Sequence, residues 1–239
     1  MVTSTSAIVL SKIRYKDNDI IVKFFTKEYG AISFIVKGGQ NSKKNKIKYV
    51  YFQELSILEI QFNYNSKRDL QYIKDIELKH NYTSSHTDLV KISVIMLLSE
   101  VLSNVITYQK KEIQLYNYIE QSLIWHDMNK SNPYFHMIFL IELTRYLGFY
   151  PDILNNNFKY FNLEGGSYEK SKTSEYSITG NSLNLFNQIL GIKFDSNPLP
   201  TLNSKDKMEI INIILTYYKL HINNFKPIKS LEIVKNIFS

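Results

Sequence analysis

The sequence predicts an α+β protein: a small closed barrel of five strands, followed by an all-helical domain with an irregular, hairpin-like insert. Two changes along the chain carry that expectation. Apolar residues alternate with period two up to residue 79 and recur at helical spacing after residue 80. Charge is divided at the same place. Residues 1–79 hold 14 Lys+Arg and 8 Asp+Glu, and residues 80–239 hold 15 and 14, so six of the seven net positive charges lie in the first third. The expected domains are therefore 1–79 and 80–239, with the insert at about 152–180.

The strand candidates are short apolar runs separated by turn formers: "SAIVLSKIRY" (6–15), "DIIVKFFT" (19–26), "AISFIV" (31–36), "LSILEIQF" (55–62) and "LQYIKDIEL" (70–78). Ile32, Phe34 and Val36 alternate with Ala31, Ser33 and Ile35, and Leu58, Ile60 and Phe62 with Ile57, Glu59 and Gln61, which is the pattern of a half-buried strand. Asp17-Asn18-Asp19 and Tyr29-Gly30 stand at hairpin spacing. Five such strands in about eighty residues suit an OB-fold barrel, with an SH3-like barrel as the alternative.

Helices follow. In "LVKISVIMLLSEVLSNVITY" (89–108), Leu89, Ile92, Met96 and Val105 are expected on one buried face. Lys91 and Glu100 interrupt this stretch, which argues for a buried helix and against a membrane span. "KEIQLYNYIEQSLIW" (111–125) repeats the period with Ile113, Tyr116, Ile119 and Leu123. In "SNPYFHMIFLIELTRYLGFYP" (131–151), Pro133 suits a first helical turn, while Gly148 and Pro151 end the segment. Residues 152–180 lose the period, and helices resume at 181–191, 204–222 and 230–238. The N-terminus lacks the basic and apolar regions of a secretory leader, so the expected location is cytoplasmic.

No motif for catalysis stands out. There is no cysteine, which excludes disulfides, thiolate metal sites and cysteine nucleophiles. Asp17 and Asp19 read as turn formers, and His80 and His86 are spaced for neither a helical nor a strand ligand pair. His126 and Asp127 adjoin, but no G-x-S-x-G elbow supplies a nucleophile. Gly38-Gly39 is not followed by G-K-[ST], and Gly165-Gly166 reads as a turn. The protein is expected to be no enzyme and to need no cofactor or metal.

The informative feature is "KGGQNSKKNKIKY" (37–49), where Lys37, Lys43, Lys44, Lys46 and Lys48 cluster without an acid. Like charges gather where a polyanion is bound. Tyr49, Tyr51 and Phe52 follow at once, and aromatic rings beside cations are what sequence-tolerant single-strand binders use. Lys12, Arg14 and Lys16 on the first strand, and Lys67 and Arg68 in the fourth turn, extend the candidate DNA path. Two rival classes are an adaptor using its basic face on an acidic protein, and a metal-dependent nuclease. The nuclease needs clustered acids, and residues 1–79 offer dispersed ones.

"AIVLSKIRYKDNDIIVKFFTKEYG" followed by "VKGG" resembles the N-terminal OB domain of the RecO recombination mediators. "LIELTRYLGFYPDI" (140–153), "YFNLEGGSY" (160–168) and "YYKLHINNFKPIKSLEIVKNIF" (217–238) are similar to that family's C-terminal segments, in the same order. The resemblance implies a DNA-repair protein of recombinational gap repair that works at the nucleoid. Such proteins bind single- and double-stranded DNA, anneal complementary strands without ATP and help load the RecA recombinase. The implied partners are RecR and the acidic, apolar-ended tail of the single-strand-binding protein. Arg145, between apolar turns of "LIELTRYLGF", is the candidate cation for that tail. Many members of the family carry a four-cysteine zinc site around the segment matching 150–180. Here that segment has no cysteine, so its packing is expected to rest on Phe158, Tyr160, Phe161 and Tyr168.

If Lys43, Lys44, Lys46 and Lys48 contact phosphates, replacing all four with alanine flattens the slope of log K against log salt for a single strand by about 3, or about 0.7 per contact. A salt titration with a parallel thermal melt checks this. An unchanged slope with an unchanged melt would mean that the lysines only solvate the loop.

Overall fold

The computed structural model describes residues 2–16, 19–37 and 49–238. The chain forms two compact units, residues 1–130 with 228–230 and residues 131–227 with 231–239. The first unit thus continues past residue 79 and takes in the first two helices.

Five strands build the barrel: β1 (Val2–Tyr15), β2 (Asp19–Thr26), β3 (Gly30–Val36), β4 (Ile57–Asn63) and β5 (Leu70–Leu78). They close in the order β1-β2-β3-β5-β4, every pair antiparallel except β3 with β5. This is the OB arrangement, so the SH3-like alternative is set aside. The inward set includes Val22, Phe24, Ile32, Phe34, Leu58, Ile60 and Phe62, as the alternation predicts. Phe34 meets Phe24 and Phe62 edge-on at centroid distances of 5.4 and 5.0 Å.

A bulge in β1 prepares the seat of the first helix, α1 (Leu89–Val105). The register with β2 shifts between Val9 and Ser11, and the Leu10 carbonyl accepts the hydroxyls of Ser99 (2.7 Å) and Ser103 (2.9 Å) of α1. Lys23 of β2 donates to the Ile106 carbonyl at the end of the same helix (2.7 Å). The buried face of α1 accordingly includes Lys91, Val94, Ile95, Leu98, Ser99, Val101 and Leu102. The expected stripe was the wrong one: Leu89 is 75% exposed, and Ile92, Met96 and Val105 are half-buried. Hydrogen bonds made by inward polar side chains set the rotation of this helix, which is apolar on most sides. In α2 (Ile113–Met128) the expected Tyr116, Ile119 and Leu123 are buried, while Ile113 is exposed. The link from α1 to α2 passes over the β2–β3 turn. There Ala31 N–H donates to the Tyr108 carbonyl (3.0 Å), and a Cβ on Gly30 (φ +71°) would lie 2.4 Å from the Lys110 backbone.

The connector 79–88 and the start of α1 are tied to α2 by two reciprocal caps. The Asp127 carboxylate accepts the N–H groups of Thr83, Ser84 and Ser85 at 2.8–3.1 Å. The buried Lys91 ammonium donates to the carbonyls of His126 (2.6 Å), Asp127 (3.0 Å) and Asn129 (2.6 Å) at the end of α2. Asp88 caps α1 through the N–H groups of Val90 and Lys91.

In the second unit, α3 (Phe135–Leu147) is buried along most of its length and ends on Gly148, at φ 85°. Pro133 lies in the turn ahead of this helix and not within its first turn. The insert is a three-stranded sheet, β6 (Tyr160–Asn162), β7 (Ser167–Glu169) and β8 (Ser177–Thr179), in the order β7-β6-β8. Phe161 and Tyr168 are its core, 4.9 Å apart and edge-on, and Phe161 also packs on Phe186 of α4 (Gly180–Ile189). Phe158 and Tyr160 are half-buried and contribute less. Glu169 adds a polar knot, accepting Ser177 Oγ (2.5 Å), Thr173 N–H (3.1 Å) and the Thr173 hydroxyl. Two helices complete the chain, α5 (Ser204–His221) and α6 (Leu231–Phe238). No helix among the described residues is long and apolar enough to cross a membrane.

The α2 joint makes the first unit sensitive to acid. Burial pushes His126 down to about 4. Burial alone would raise the Asp127 carboxyl, but the three N–H groups hold it well below the usual carboxylate range. A neutral His126 contributes stability that is complete above its unfolded pKa of about 6.5 and lost as pH falls toward about 4; that of Asp127 disappears only at lower pH. Chemical denaturation between about pH 7 and about pH 4.5 is therefore expected to show a loss of about 2 kcal/mol from His126. His126→Gln, which cannot titrate there, removes that part of the pH dependence.

Candidate nucleic-acid interface

The barrel's outer face is built by the residues that alternate with its core. Backbone register sets Ile13 of β1 opposite Ile21 of β2, Ile21 opposite Ile35 of β3, and Ile35 opposite Tyr72 of β5. Ile13 is 60% and Tyr72 48% exposed, and Ile21 and Ile35 are half-buried. Two of the expected cations converge at the Tyr72 end. Lys37 Nζ and the Arg68 guanidinium each lie 5.7 Å from the centre of the Tyr72 ring.

The turn that presents Arg68 is built by Gln71, whose side chain points inward and is buried. Its amide donates to the carbonyls of Asn65 and Arg68, both at 2.8 Å, and its oxygen accepts Asn65 N–H at 3.1 Å. Asn65 Oδ1 in turn accepts Lys67 N–H at 2.9 Å. A neutral, buried side chain thus holds two exposed cations in place.

A second group forms around Lys12, which lies 5.1 Å from the Tyr49 ring centre and 3.8 Å from Glu54. Lys12 pairs with the core residue Val22 across the strands, so it stands on the opposite parity from Ile13. Arg14 is exposed, and Lys16, in a left-handed turn (φ 52°), lies over Tyr15. Of the aromatics, Phe52 is core, Tyr51 is partly buried against it, and Tyr49 is exposed. Lys43, Lys44, Lys46 and Lys48 lie outside the described residues. Composition and charge do not single out Tyr72, Gln71 or the isoleucine row. The alternation in "LQYIKDIEL" marked Tyr72 as facing away from Gln71, but choosing between the two faces required the pairing with β3.

Other arrangements do different work. Ser84 Oγ lies 2.7 Å from Lys91 Nζ, yet that nitrogen also donates to three carbonyls, which requires the ammonium form and leaves no base for a nucleophile. Among the described residues, no group of three or more His, Cys, Asp or Glu is placed to hold a metal ion. In the second unit, a cleft of about 540 Å³ is lined by Glu175, Glu209, Lys205, Tyr176, Ile178 and Met208, and so lacks an excess of cations. At the end of α3, Arg145 is held by Glu142 (3.2 Å) and lies 3.6 Å from the centre of the Tyr150 ring, its side chain half exposed.

Residues 1–82 match the family model described as "Recombination protein O N terminal", and residues 86–232 match "Recombination protein O C terminal". The chain belongs to the RecO family. Similar curated proteins named DNA repair protein RecO include those of Flavobacterium psychrophilum (36% identical over 239 residues), Flavobacterium johnsoniae (35% over 239) and Christiangramia forsetii (34% over 238). In each case 100% of both chains is covered. In this RecO chain the described cations of the first third are mounted on an OB barrel, with its helices held by buried polar caps.

Gln71→Leu removes three hydrogen bonds from the 65–68 turn. We expect a loss of about 1–3 kcal/mol in stability, together with faster amide exchange at Lys67 and Arg68 than at β4. Exchange measured by mass spectrometry on the variant checks this.

Proposed function

We propose that this RecO protein acts in recombinational DNA repair as a non-enzymatic DNA binder. It binds single- and double-stranded DNA and anneals complementary strands without ATP. With RecR and the single-strand-binding protein it helps load the RecA recombinase. The observation that carries the DNA-binding reading is the convergence of Lys37 and Arg68 on the exposed Tyr72 ring, in the third of the chain that holds nearly all its net charge. Phosphate attraction supplies affinity for either form of DNA and makes it salt-dependent. Annealing needs no chemistry from the protein, only that it holds two strands at high local concentration.

The acidic tail of the single-strand-binding protein is assigned to Arg145. Glu142 already pairs with this guanidinium, so the incoming carboxylate competes with an internal one. The Tyr150 face beneath it supplies the apolar side of the site.

A fluorescence annealing assay with complementary oligonucleotides, run without ATP and with or without single-strand-binding protein, tests the function. The Lys37→Ala/Arg68→Ala variant is expected to anneal about 10-fold more slowly at about 0.1 M salt, through loss of phosphate contacts. Arg145→Ala is expected to lower affinity for the tail peptide while leaving naked-strand annealing unchanged. Undiminished annealing by the double variant would favour an adaptor that uses its basic face on an acidic protein, and strand cleavage in magnesium would indicate a nuclease.

A further inference from the structure

We infer that the row Ile13–Ile21–Ile35–Tyr72 is a base-contacting strip that gives the barrel a preference for single strands over duplex. The inference rests on the DNA-binding reading above and adds what the apolar side chains do. Four outward residues in cross-strand register, each strand about 4.8 Å from the next, make a strip about 14 Å long. Nothing in barrel closure requires them to be apolar, because the core is made by residues of opposite parity. On β2 the next outward residue, Lys23, is taken up by the end of α1, whereas Ile13 and Tyr72 at the ends of the row stay largely open.

Charge indicates the occupant. The described residues that flank the strip along the chain, 14–16, 19–20, 36–37 and 67–71, contain five Lys+Arg and two Asp. An apolar strip inside a cationic frame matches a ligand with apolar flat groups and a polyanionic backbone. In a duplex the base faces are stacked on one another and only phosphates reach such a surface. A single strand can lay its bases on it. Tyr72 is the main contact, since its ring offers a face to any base, and Lys37 and Arg68 sit where the flanking phosphates run.

Tyr72→Ala, Tyr72→Phe and Lys37→Ala/Arg68→Ala are compared by fluorescence anisotropy on a labelled oligonucleotide, the same sequence as a duplex, and an abasic strand of equal charge. Tyr72→Ala should bind the single strand about 5- to 100-fold more weakly, with duplex and abasic affinities and the melting temperature unchanged. Tyr72→Phe should restore single-strand affinity, because a phenyl face still stacks. An unchanged single-strand affinity for Tyr72→Ala, alongside weakening by the double variant, overturns the strip but leaves DNA binding by the barrel standing. Equal losses on strand, duplex and abasic strand also overturn it, assigning Tyr72 to the placement of cations. If the unaltered protein binds none of the three, the DNA-binding reading fails and takes the strip with it.

Discussion

Three parallel residue pairs between β3 and β5, Ser33 with Leu70, Phe34 with Gln71 and Ile35 with Tyr72, close the barrel, and the candidate interface depends on their register. Side chains alternate along a strand, so a slip of one residue would turn Tyr72 into the core and expose Gln71. Two independent terms oppose that slip. The Phe34 ring is locked edge-on between Phe24 and Phe62, and Gln71 makes three hydrogen bonds to the 65–68 turn only when it points inward. One register therefore sets the core, the turn that carries Arg68 and the ring on which Lys37 and Arg68 converge.

Polar groups hold the helices of the first unit in place. The Leu10 carbonyl, exposed by the β1 bulge, takes two hydroxyls from α1, and Lys23 takes the carbonyl at that helix's end. Lys91 of α1 and Asp127 of α2 exchange the same service, Lys91 capping the end of α2 and Asp127 capping the connector ahead of α1. Removing one partner from such a joint leaves buried groups unpaired, which costs more than an exposed bond is worth. These groups include a Ser–Lys pair, Ser84 with Lys91, and a His–Asp pair, His80 Nε2 with Asp127 Oδ2 at 3.3 Å, of the kind found in catalytic sites. Their roles are decided by occupancy: the Lys91 ammonium and the Asp127 carboxylate already serve as caps to backbone groups.

The two units use aromatic residues differently. In the barrel, Phe24, Phe34, Phe52 and Phe62 are interior and Tyr49 and Tyr72 stay outside, so the hydroxyl-bearing rings are the ones available to a ligand. In the second unit, tyrosines enter the core because backbone carbonyls meet their hydroxyls: Tyr218 reaches the Leu140 carbonyl at 2.6 Å and Tyr217 that of Phe149 at 2.8 Å. The insert holds together through Phe161, Tyr168 and the Glu169 hydrogen bonds, without cysteine.

The sequence by itself determined the five strands, the helices that follow, the barrel's inward set and the concentration of positive charge in the first third. These are local properties, written in periods of two and 3.6 and in composition. It also named Lys37 and Arg68, since a charge can be read without a fold. Only the tertiary structure decided which ring they serve, because Lys37 and Tyr72 are brought together by a parallel pairing across 34 intervening positions of chain. It likewise decided the rotation of α1, where Leu89 faces outward and Lys91 and Ser99 face inward. Hydrophobicity alone points to the opposite faces for these residues. The inward polar groups are satisfied by the Leu10 carbonyl and the end of α2, partners that a period cannot name and that exist only once the chain is folded.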